Sequence, residues 1–255
     1  MTVSTKCYKD IIDPKLMKRV SHTIVDYGLI QDADRIAVAV SGGKDSFLML
    51  YILKELSQYA PVNFEIHAIH LDQHQPGFDK EALQKQLDFV QVPHTVLSYD
   101  TYSVVMEKTL PGQSTCFMCS RLRRGHLYAF CKQKGFNKLA LGHHLEDSLE
   151  TFLMNSLTKG KLRAIDPMML PDDPANPIVI RPLIFVDEAL IMREVQKFPI
   201  STIHCPVCDE QPDLVRPKMR ALLEKISNDW PTAKSSLRGA IERSLYGKND
   251  QESKS

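Results

Sequence analysis

The sequence has no apolar run that approaches the ~20 residues of a membrane-spanning helix, so it does not predict a membrane protein. Its first twenty residues, MTVSTKCYKDIIDPKLMKRV, lack the apolar core of a signal peptide. The chain also lacks an excess of one charge, because it has 32 lysines and arginines and 31 acidic residues. A binding site for a polyanion would therefore have to be a local cluster of cations. We therefore expect a cytoplasmic protein, and 255 residues suffice for one large α/β domain with small extensions.

Cysteines are few, and four of the six form two C-x-x-C pairs, Cys116-Phe-Met-Cys119 and Cys205-Pro-Val-Cys208. A disulfide framework is not expected in a cytoplasmic α/β protein of this size. Thiolates three residues apart can converge on one metal centre, and this spacing fits structural zinc and an iron–sulfur cluster equally well. Two weaker alternatives are a thioredoxin-like redox pair and four unrelated buried thiols.

A phosphate-binding turn is predicted at Ser41-Gly-Gly-Lys-Asp-Ser46, between an apolar strand at 35–40 and a helix with apolar residues at helical spacing. Two glycines let the backbone approach a ligand, and Ser46 is expected to cap the helix. Unpaired N–H groups at a helix start favour a phosphate. Lys44 adds a cation, and Asp45 is a candidate Mg²⁺ ligand. The alternative is an ordinary glycine-containing turn.

The turn differs from a Walker A loop, because its glycines are adjacent instead of five positions apart. Ser-Gly-Gly-Lys-Asp-Ser after a strand resembles the PP-loop of ATP pyrophosphatases. Those enzymes split ATP between the α and β phosphates and leave AMP on a substrate. The resemblance therefore implies ATP as a substrate.

Strands and helices alternate along the chain, which predicts a doubly wound, mainly parallel sheet of five strands. Ligands bind beyond the carboxyl ends of such strands, so residues 41–46, Leu71-Asp72 and Gly142-His143 should line one crevice. We expect a less regular segment up to Thr115 and a proline-rich loop at 167–177. The predicted strands are 35–40, 64–71, 94–98, 138–141 and 178–181, and the predicted helices are 10–30, 80–90, 118–134 and 145–157.

Four segments are predicted in total: an N-terminal helical segment (1–30), an ATP-binding α/β domain with the first C-x-x-C pair (31–186), a C-terminal helical region with the second pair (187–247), and a disordered tail (248–255).

Two short stretches are basic although the whole chain is not. Residues 120–134 carry five cations and no carboxylate, and residues 159–163 carry three cations. Taken alone, each is better explained by a solvated helix face or a loop. Near a nucleotide site, contacts with RNA phosphates become the better explanation. The candidates are Arg121, Arg123, Arg124, Lys159, Lys161 and Arg163.

Further motifs follow the turn in a specific order. They are Leu71-Asp-Gln-His-Gln-Pro-Gly-Phe78, Cys116-Phe-Met-Cys-Ser-Arg-Leu-Arg-Arg-Gly125, Ala140-Leu-Gly-His-His-Leu-Glu-Asp147 and His204-Cys-Pro-Val-Cys-Asp-Glu-Gln-Pro-Asp213. From residue 10 to residue 230 the chain resembles the tRNA 2-thiocytidine synthase family, which converts cytidine 32 of certain tRNAs to 2-thiocytidine.

The resemblance implies an adenine nucleotide alpha hydrolase-like (HUP) fold and a set of site residues. It implies a 4Fe–4S cluster on Cys116, Cys119 and Cys205, which leaves Cys208 unligated and able to carry a persulfide. It places the adenine end of ATP near 38–40, 70–72 and Gly142. The implied ATP contacts are Ser41, Gly42, Gly43, Lys44, Asp45, Ser46, Asp72, Gly142 and His143, and the catalytic candidates are Lys44, Asp45 and Cys208.

The expected reaction transfers AMP from ATP to O2 of the cytosine. Sulfur then takes the place of O2, which leaves with AMP. Its partners would be Mg²⁺, a tRNA anticodon loop and a sulfur donor such as a cysteine desulfurase. His143 and His144 are candidates for nucleotide contact or proton transfer, and equally for packing or capping. Glu146 departs from the family's aspartate, which leaves its use of magnesium open. A uridine thiolase, a non-catalytic metal or redox sensor, and a homodimer also remain open.

Overall fold

A computed structural model describes residues 11–109, 115–201, 203 and 215–247, with the backbone alone for Cys116. Within this part of the chain, six strands form one sheet in the order β3-β2-β1-β4-β6-β5. Every pairing is parallel except that of β5 with β6. The strands are β1 (Asp34–Ala39), β2 (Phe64–Asp72), β3 (His94–Ser98), β4 (Lys138–Ala140), β5 (Met168–Met169) and β6 (Ile178–Ile180).

The predicted mainly parallel α/β fold is confirmed, but the sheet has one strand more than the five predicted. The extra strand is β5, which pairs antiparallel with β6 inside the segment predicted as a proline-rich loop. A two-residue strand is too short for an alternating pattern to reveal it in the sequence.

The helices that the structure describes are α1 (Pro14–Asp26), α2 (Lys44–Tyr59), α3 (Lys80–Val90), α4 (Thr101–Lys108), α5 (Thr115–Lys134), α6 (Leu145–Lys159), α7 (Glu188–Val195), α8 (Val215–Asp229) and α9 (Ala233–Tyr246). Helix α4 occupies the segment expected to be irregular, where the Asp100 carboxylate accepts a hydrogen bond from Ser103 N–H and caps the helix. The predicted disordered tail at 248–255 lies outside the described residues.

Helices cover both faces of the sheet. The larger core joins α1, α2, α3 and α7 to one face, and α5 packs on the other through Leu127 and Phe130. In α2 every side chain from Phe47 to Leu53 is buried, as expected of a central helix. A third apolar cluster joins α6 to α8 and α9. Among the described helices, none is both long and apolar enough to cross a membrane.

The strand order reverses beside β1, which fixes where a ligand can enter. The chain runs from β1 through β2 to β3 on one side and then places β4 on the other side of β1. Loops that follow β1 and β4 therefore diverge and leave a crevice at the carboxyl ends of these strands.

Candidate active site

A cavity of ≈ 440 Å³ opens at this crevice. Its walls come from the turn after β1, the segment after β2, the loop after β4, and α5. The segments at the ends of β1, β2 and β4, which the sequence predicted to line one crevice, therefore do line a common cavity. Predicted site residues in the walls are Ser41, Gly43, Lys44, Asp45, Ser46, Gly142 and His143.

The phosphate-type turn leaves the start of α2 uncapped. Helix α2 begins at Lys44, and no described side chain caps its first turn. The prediction that Ser46 caps the helix is wrong, because its hydroxyl donates to Gly43 O (2.9 Å) and accepts from Ser41 N–H (3.1 Å). The Ser46 hydroxyl therefore links residues within the turn and does not cap the helix. The first N–H groups of α2 remain available to an anion.

Gly42 has a backbone conformation and a packing environment that require glycine. Its φ is +87°, and a Cβ there would lie 2.6 Å from Ile203 Cδ1. The Gly42 carbonyl accepts hydrogen bonds from Ile203 N–H (2.9 Å) and from Gln86 Nε2 (2.8 Å). Gln86 also donates to Ser201 O at 2.7 Å. Helix α3 thus ties the turn to the segment that precedes Cys205 in the sequence.

Gly142 brings the end of β4 against the start of α2. A Cβ at this position would lie 3.1 Å from Ser46 N and 3.2 Å from Asp45 C. Such a contact is tighter than side chains normally make with backbone. The glycine therefore allows the loop after β4 and the turn after β1 to share one cavity.

Lys44 is held in the cavity wall by two carboxylates. Its Nζ lies 2.8 Å from Glu188 Oε1 and 3.1 Å from Asp45 Oδ2. Burial opposes the charge, but the hydrogen bonds with Glu188 and Asp45 keep the pKa of Lys44 above its ordinary value. Burial raises the pKa of Asp45 despite the nearby charges of His144 and Lys44. The second oxygen of Asp45, Oδ1, is buried and has no hydrogen-bond partner among the described residues.

Two adjacent histidines after β4 have different surroundings. Burial, with the positive charge of Arg181, lowers the pKa of His143 to about 4, although Asp147 opposes the shift. Arg181 Nε donates to His143 Nδ1 at 3.2 Å, so the neutral ring carries its proton on Nε2. Burial opposes protonation of His144 as well, but Glu146 and other carboxylates outweigh burial and raise its pKa. His143 lines the cavity and His144 lies behind it.

A network of ion pairs supports the cavity from behind. Glu146 accepts a hydrogen bond from Glu188 N–H (2.9 Å) and pairs with Lys234 Nζ (2.9 Å). Both of its carboxylate oxygens are therefore engaged within the protein. Glu150 pairs with Arg220 at 2.8 Å in the same way. These contacts join α6 to α7, α8 and α9.

Cys119 lies in α5 next to two residues of the cavity wall. Its thiol donates to Gln73 Oε1 at 3.2 Å and accepts from Arg123 Nη2 at 3.6 Å. Cys116 is in the first turn of the same helix, while Cys205 and Cys208 lie outside the described residues. No cluster of three or more potential metal ligands occurs among the described residues.

The remaining predicted contacts fall into two groups. Asp72 is buried but does not line the cavity, because Lys80 Nζ (2.7 Å) and His74 N–H (2.9 Å) engage its two oxygens. Of the predicted tRNA-binding cations, Arg123 lines the cavity. The others are exposed: Arg121, Arg124, Lys159, Lys161 and Arg163.

Sequence reasoning missed several residues of the site. Gln73, Gln75 and Phe78 line the cavity and belong to the motif after β2, whose position beyond a strand end was the available signal. Gln86 and Glu188 gave no such signal, because each reaches the site from a helix that begins far away in the sequence.

Comparisons with known proteins identify the family of this chain. The PP-loop domain family matches residues 12–224. The tRNA-cytidine(32) 2-sulfurtransferase of Chromohalobacter salexigens is 46% identical over 232 residues, which cover 90% of this chain and 81% of that protein. The enzyme of the same name from Deinococcus radiodurans is 43% identical over 228 residues, covering 89% of this chain and 76% of the relative.

A solved structure shows a similar fold. The U34-tRNA thiolase NcsA from Methanococcus maripaludis, solved with its 4Fe–4S cluster, has a TM-score of 0.73, covering 92% of this chain and 79% of that chain. Its sequence is 20% identical, so the likeness concerns the fold alone. By the family match and the identity to its relatives, this chain belongs to the PP-loop proteins and, among them, to the tRNA-cytidine(32) 2-sulfurtransferase family of transferase enzymes.

Proposed function

We propose that this protein catalyses ATP-dependent 2-thiolation of cytidine 32 in tRNA, through an adenylated base and with sulfur delivered at a 4Fe–4S cluster. One observation carries the proposal: the uncapped start of α2 with Lys44 lies in the same cavity wall as Arg123, which contacts the Cys119 thiol. An anion site and a thiol site thus adjoin. Relatives named tRNA-cytidine(32) 2-sulfurtransferases support the substrate.

The cavity fits a nucleotide. Its ≈ 440 Å³ lies within the usual range for small-molecule sites, roughly 300–1,000 Å³. Three residues of the wall each have a buried polar atom without a hydrogen-bond partner among the described residues, namely Asp45 Oδ1, His70 Nε2 and Arg123 Nε. His70 Nδ1 contacts Val40 O at 2.7 Å, so a neutral ring keeps Nε2 as an acceptor. An amino group such as that of adenine would supply the missing donor.

A magnesium ion fits beside the phosphates. The free oxygen of Asp45 adjoins the anion site, and carboxylate oxygen is the ligand that Mg²⁺ prefers. When bound, the ion would neutralise part of the phosphate charge. The two oxygens of Glu146 are already engaged by Glu188 N–H and Lys234 Nζ, so Asp45 is the better candidate for a Mg²⁺ ligand.

Activation of the base follows from these groups. The O2 oxygen of cytosine is a poor leaving group, and attack of O2 on the α phosphate of ATP with loss of pyrophosphate turns it into a phosphate ester. The N–H groups at the start of α2 and Lys44 stabilise the charge that develops on the phosphates. Lys44 exchanges its contact with Glu188 for one with the nucleotide.

Cys119 has the surroundings of an iron–sulfur ligand. Cys119 is partly exposed, its thiol contacts Arg123, and Cys116 precedes it by three residues in one helix. Ile203 lines the cavity two positions before Cys205, so the chain approaches the second C-x-x-C pair from the cavity wall. When bound on Cys116, Cys119 and Cys205, a cluster would supply an iron with a free position for sulfide. A persulfide on Cys208 is the competing sulfur carrier.

The tRNA substrate requires phosphate contacts and access to one base. Arg121 and Arg124 are exposed on α5, the helix that also lines the cavity. Cytidine 32 belongs to the anticodon loop, whose bases can be splayed into a pocket without breaking a duplex. We therefore assign the exposed cations of α5 to the RNA and the cavity to ATP and the base.

The test is an anaerobic reaction of the reconstituted protein with ATP, a sulfide source and tRNA that lacks 2-thiocytidine. The proposal expects pyrophosphate, AMP and 2-thiocytidine at position 32, identified by nucleoside mass spectrometry. Formation of 2-thiouridine instead would make the protein a uridine thiolase. A fully loaded cluster with no pyrophosphate and no thiolated base would favour a sensor.

A further inference from the structure

A second cavity, the α1–α9 groove, shares no wall residue with the nucleotide cavity. It has a volume of ≈ 360 Å³ and lies between the N-terminal helix α1 and helix α9. Its basic lining residues are Lys15, Lys18, Arg19, His22 and Arg238.

The groove concentrates positive charge in a chain whose net charge is only +1. Its lining includes four cationic side chains and one histidine, but only two carboxylates, Asp26 and Glu242. Arg19 pairs with Asp187, and Arg238 lies 3.7 Å from Glu242. Lys15 and Lys18 are exposed and form no ion pair with any described residue. These two charges are available to an external anion.

The stability of α1 does not explain these lysines. Asp13 caps α1 by accepting a hydrogen bond from Lys15 N–H at 2.8 Å, so Lys15 lies in the first turn. Cations there oppose the helix dipole, and the first turn contains no acidic residue. Lys15, Lys18 and His22 recur at helical spacing and make a stripe about 10 Å long. A stripe of this length suits consecutive phosphates better than a single phosphate.

The groove adjoins the nucleotide site across the start of α7. Arg19 of the groove bonds to Asp187, and the next residue, Glu188, holds Lys44 of the nucleotide cavity. Contacts also link the groove to Ile165, two residues after the basic loop at 159–163. Phe185 in the groove wall packs against Tyr246 with ring centroids 6.2 Å apart, and Tyr246 donates to the carbonyl of Ile165 at 2.8 Å.

The geometry points to the α1–α9 groove as a second binding surface for the tRNA, where Lys15 and Lys18 contact phosphates of the RNA backbone. This inference rests on the proposed function, which supplies the tRNA as substrate. Contacts therefore connect the groove both to the nucleotide site and to the segment that follows the basic loop at 159–163. It adds a contact surface that the basic stretches of the sequence did not indicate.

The experiment compares two double charge reversals in the full chain. Lys15→Glu with Lys18→Glu changes the groove, and Lys85→Glu with Lys225→Glu makes the same charge change at exposed positions on α3 and α8. Binding of tRNA is measured over a series of salt concentrations, and binding of ATP, binding of inorganic triphosphate and thermal unfolding are measured in parallel. We expect the groove variant to bind tRNA about tenfold more weakly, with a salt slope smaller by about 1.5 to 2. ATP binding and thermal unfolding should match those of the control.

Three results would overturn the inference. Equal tRNA affinity and salt slope in both variants would show that the RNA does not contact the groove, while thiolation by the unaltered protein would leave the proposed function standing. Loss of affinity for inorganic triphosphate without loss for tRNA would make the groove a site for small anions. Failure of the unaltered protein to bind tRNA would remove the proposed function and this inference together.

Discussion

At the scale of single residues, neighbours decide what the two histidines after β4 can do. His143 is half-buried beside Arg181, and its lowered pKa favours the neutral ring, which can donate a hydrogen bond from Nε2. His144 lies among carboxylates, with Nδ1 3.3 Å from Glu146 Oε2. Its raised pKa favours the imidazolium, which lies between a carboxylate of α6 and one of α7. The sequence alone presents the two as equivalent.

Glu146 gives this network a dependence on pH. Burial opposes its ionisation, but hydrogen bonds from His144, Lys234 and Glu188 N–H outweigh burial and lower its pKa from 4.5 to about 2. Between these values the folded protein binds fewer protons than the unfolded chain. The stabilisation is therefore fully present above pH 4.5 and is lost as the pH falls towards 2.

We predict that Glu146→Gln lowers the free energy of unfolding by about 2–3 kcal/mol at pH 6, and by clearly less at pH 3. The reason is that below pH 4.5 the unfolded chain takes up a proton at Glu146 that the folded protein binds only near pH 2, so the wild-type protein is itself less stabilised at pH 3. Urea unfolding at both pH values measures the difference. Glu107→Gln makes the same atomic change at an exposed position and is the control. A penalty that is equal at both pH values would contradict the prediction.

At the scale of elements, α3 connects the phosphate-type turn to the segment that precedes the second C-x-x-C pair in the sequence. Its buried Gln86 bonds to Gly42 O in the phosphate-type turn and to Ser201 O in the segment before the second C-x-x-C pair. One amide group therefore satisfies two carbonyl groups from distant parts of the chain. Loss of that amide would leave both carbonyls without this donor, which costs roughly 1–3 kcal/mol.

We predict that Gln86→Leu weakens ATP binding and lowers the iron content of the reconstituted protein, because it releases both segments. Calorimetry of ATP binding and iron analysis measure the two effects. Gln84→Leu is the matched control, since Gln84 lies two residues earlier on α3, is exposed, and donates a hydrogen bond to Asp88 on the same helix. If Gln86→Leu lost stability alone, with normal ATP affinity and iron content, α3 would be merely structural.

The elements also show how far the sequence predicts the fold. Strands β1 to β4 and β6 could be predicted because apolar runs at regular spacing mark them. The segment predicted as irregular contains α4, whose capping residue Asp100 was the missed signal. Ser46 was predicted as a cap from its residue type, but the helix begins two residues earlier and the hydroxyl bonds to the turn. The Glu188–Lys44 contact depends on tertiary packing, which local patterns do not encode.

At the scale of the whole molecule, the C-terminal helices are part of the support of the site. Arg220 of α8 pairs with Glu150 and approaches Glu188, and Lys234 of α9 pairs with Glu146. Leu223 and Ile241 are buried against α6 in the same region. The position of Lys44 therefore depends on residues more than 140 positions later in the chain, through Glu188.

The proposed function predicts that base activation and sulfur transfer can be separated by mutation. Lys44→Ala removes a cation from the phosphate site but leaves the thiols untouched, so the visible absorbance and iron content should remain. Pyrophosphate release with tRNA should fall by roughly 10²–10³-fold. Cys119→Ala should instead abolish the visible absorbance and the bound iron, while ATP binding remains, because Cys119 does not itself line the nucleotide cavity.

The control for the cysteine is Cys131→Ala on the same helix. Cys131 is fully buried, and burial raises the pKa of its thiol to about 12, so it is neither accessible nor readily ionised. Its substitution should leave absorbance, iron content and pyrophosphate release close to those of the unaltered protein. If Cys119→Ala kept its iron, Cys119 would not be a cluster ligand. If Lys44→Ala lost its iron as well, the phosphate site and the thiol site would not be independent. The contact between Arg123 and Cys119 would then be the candidate link between them.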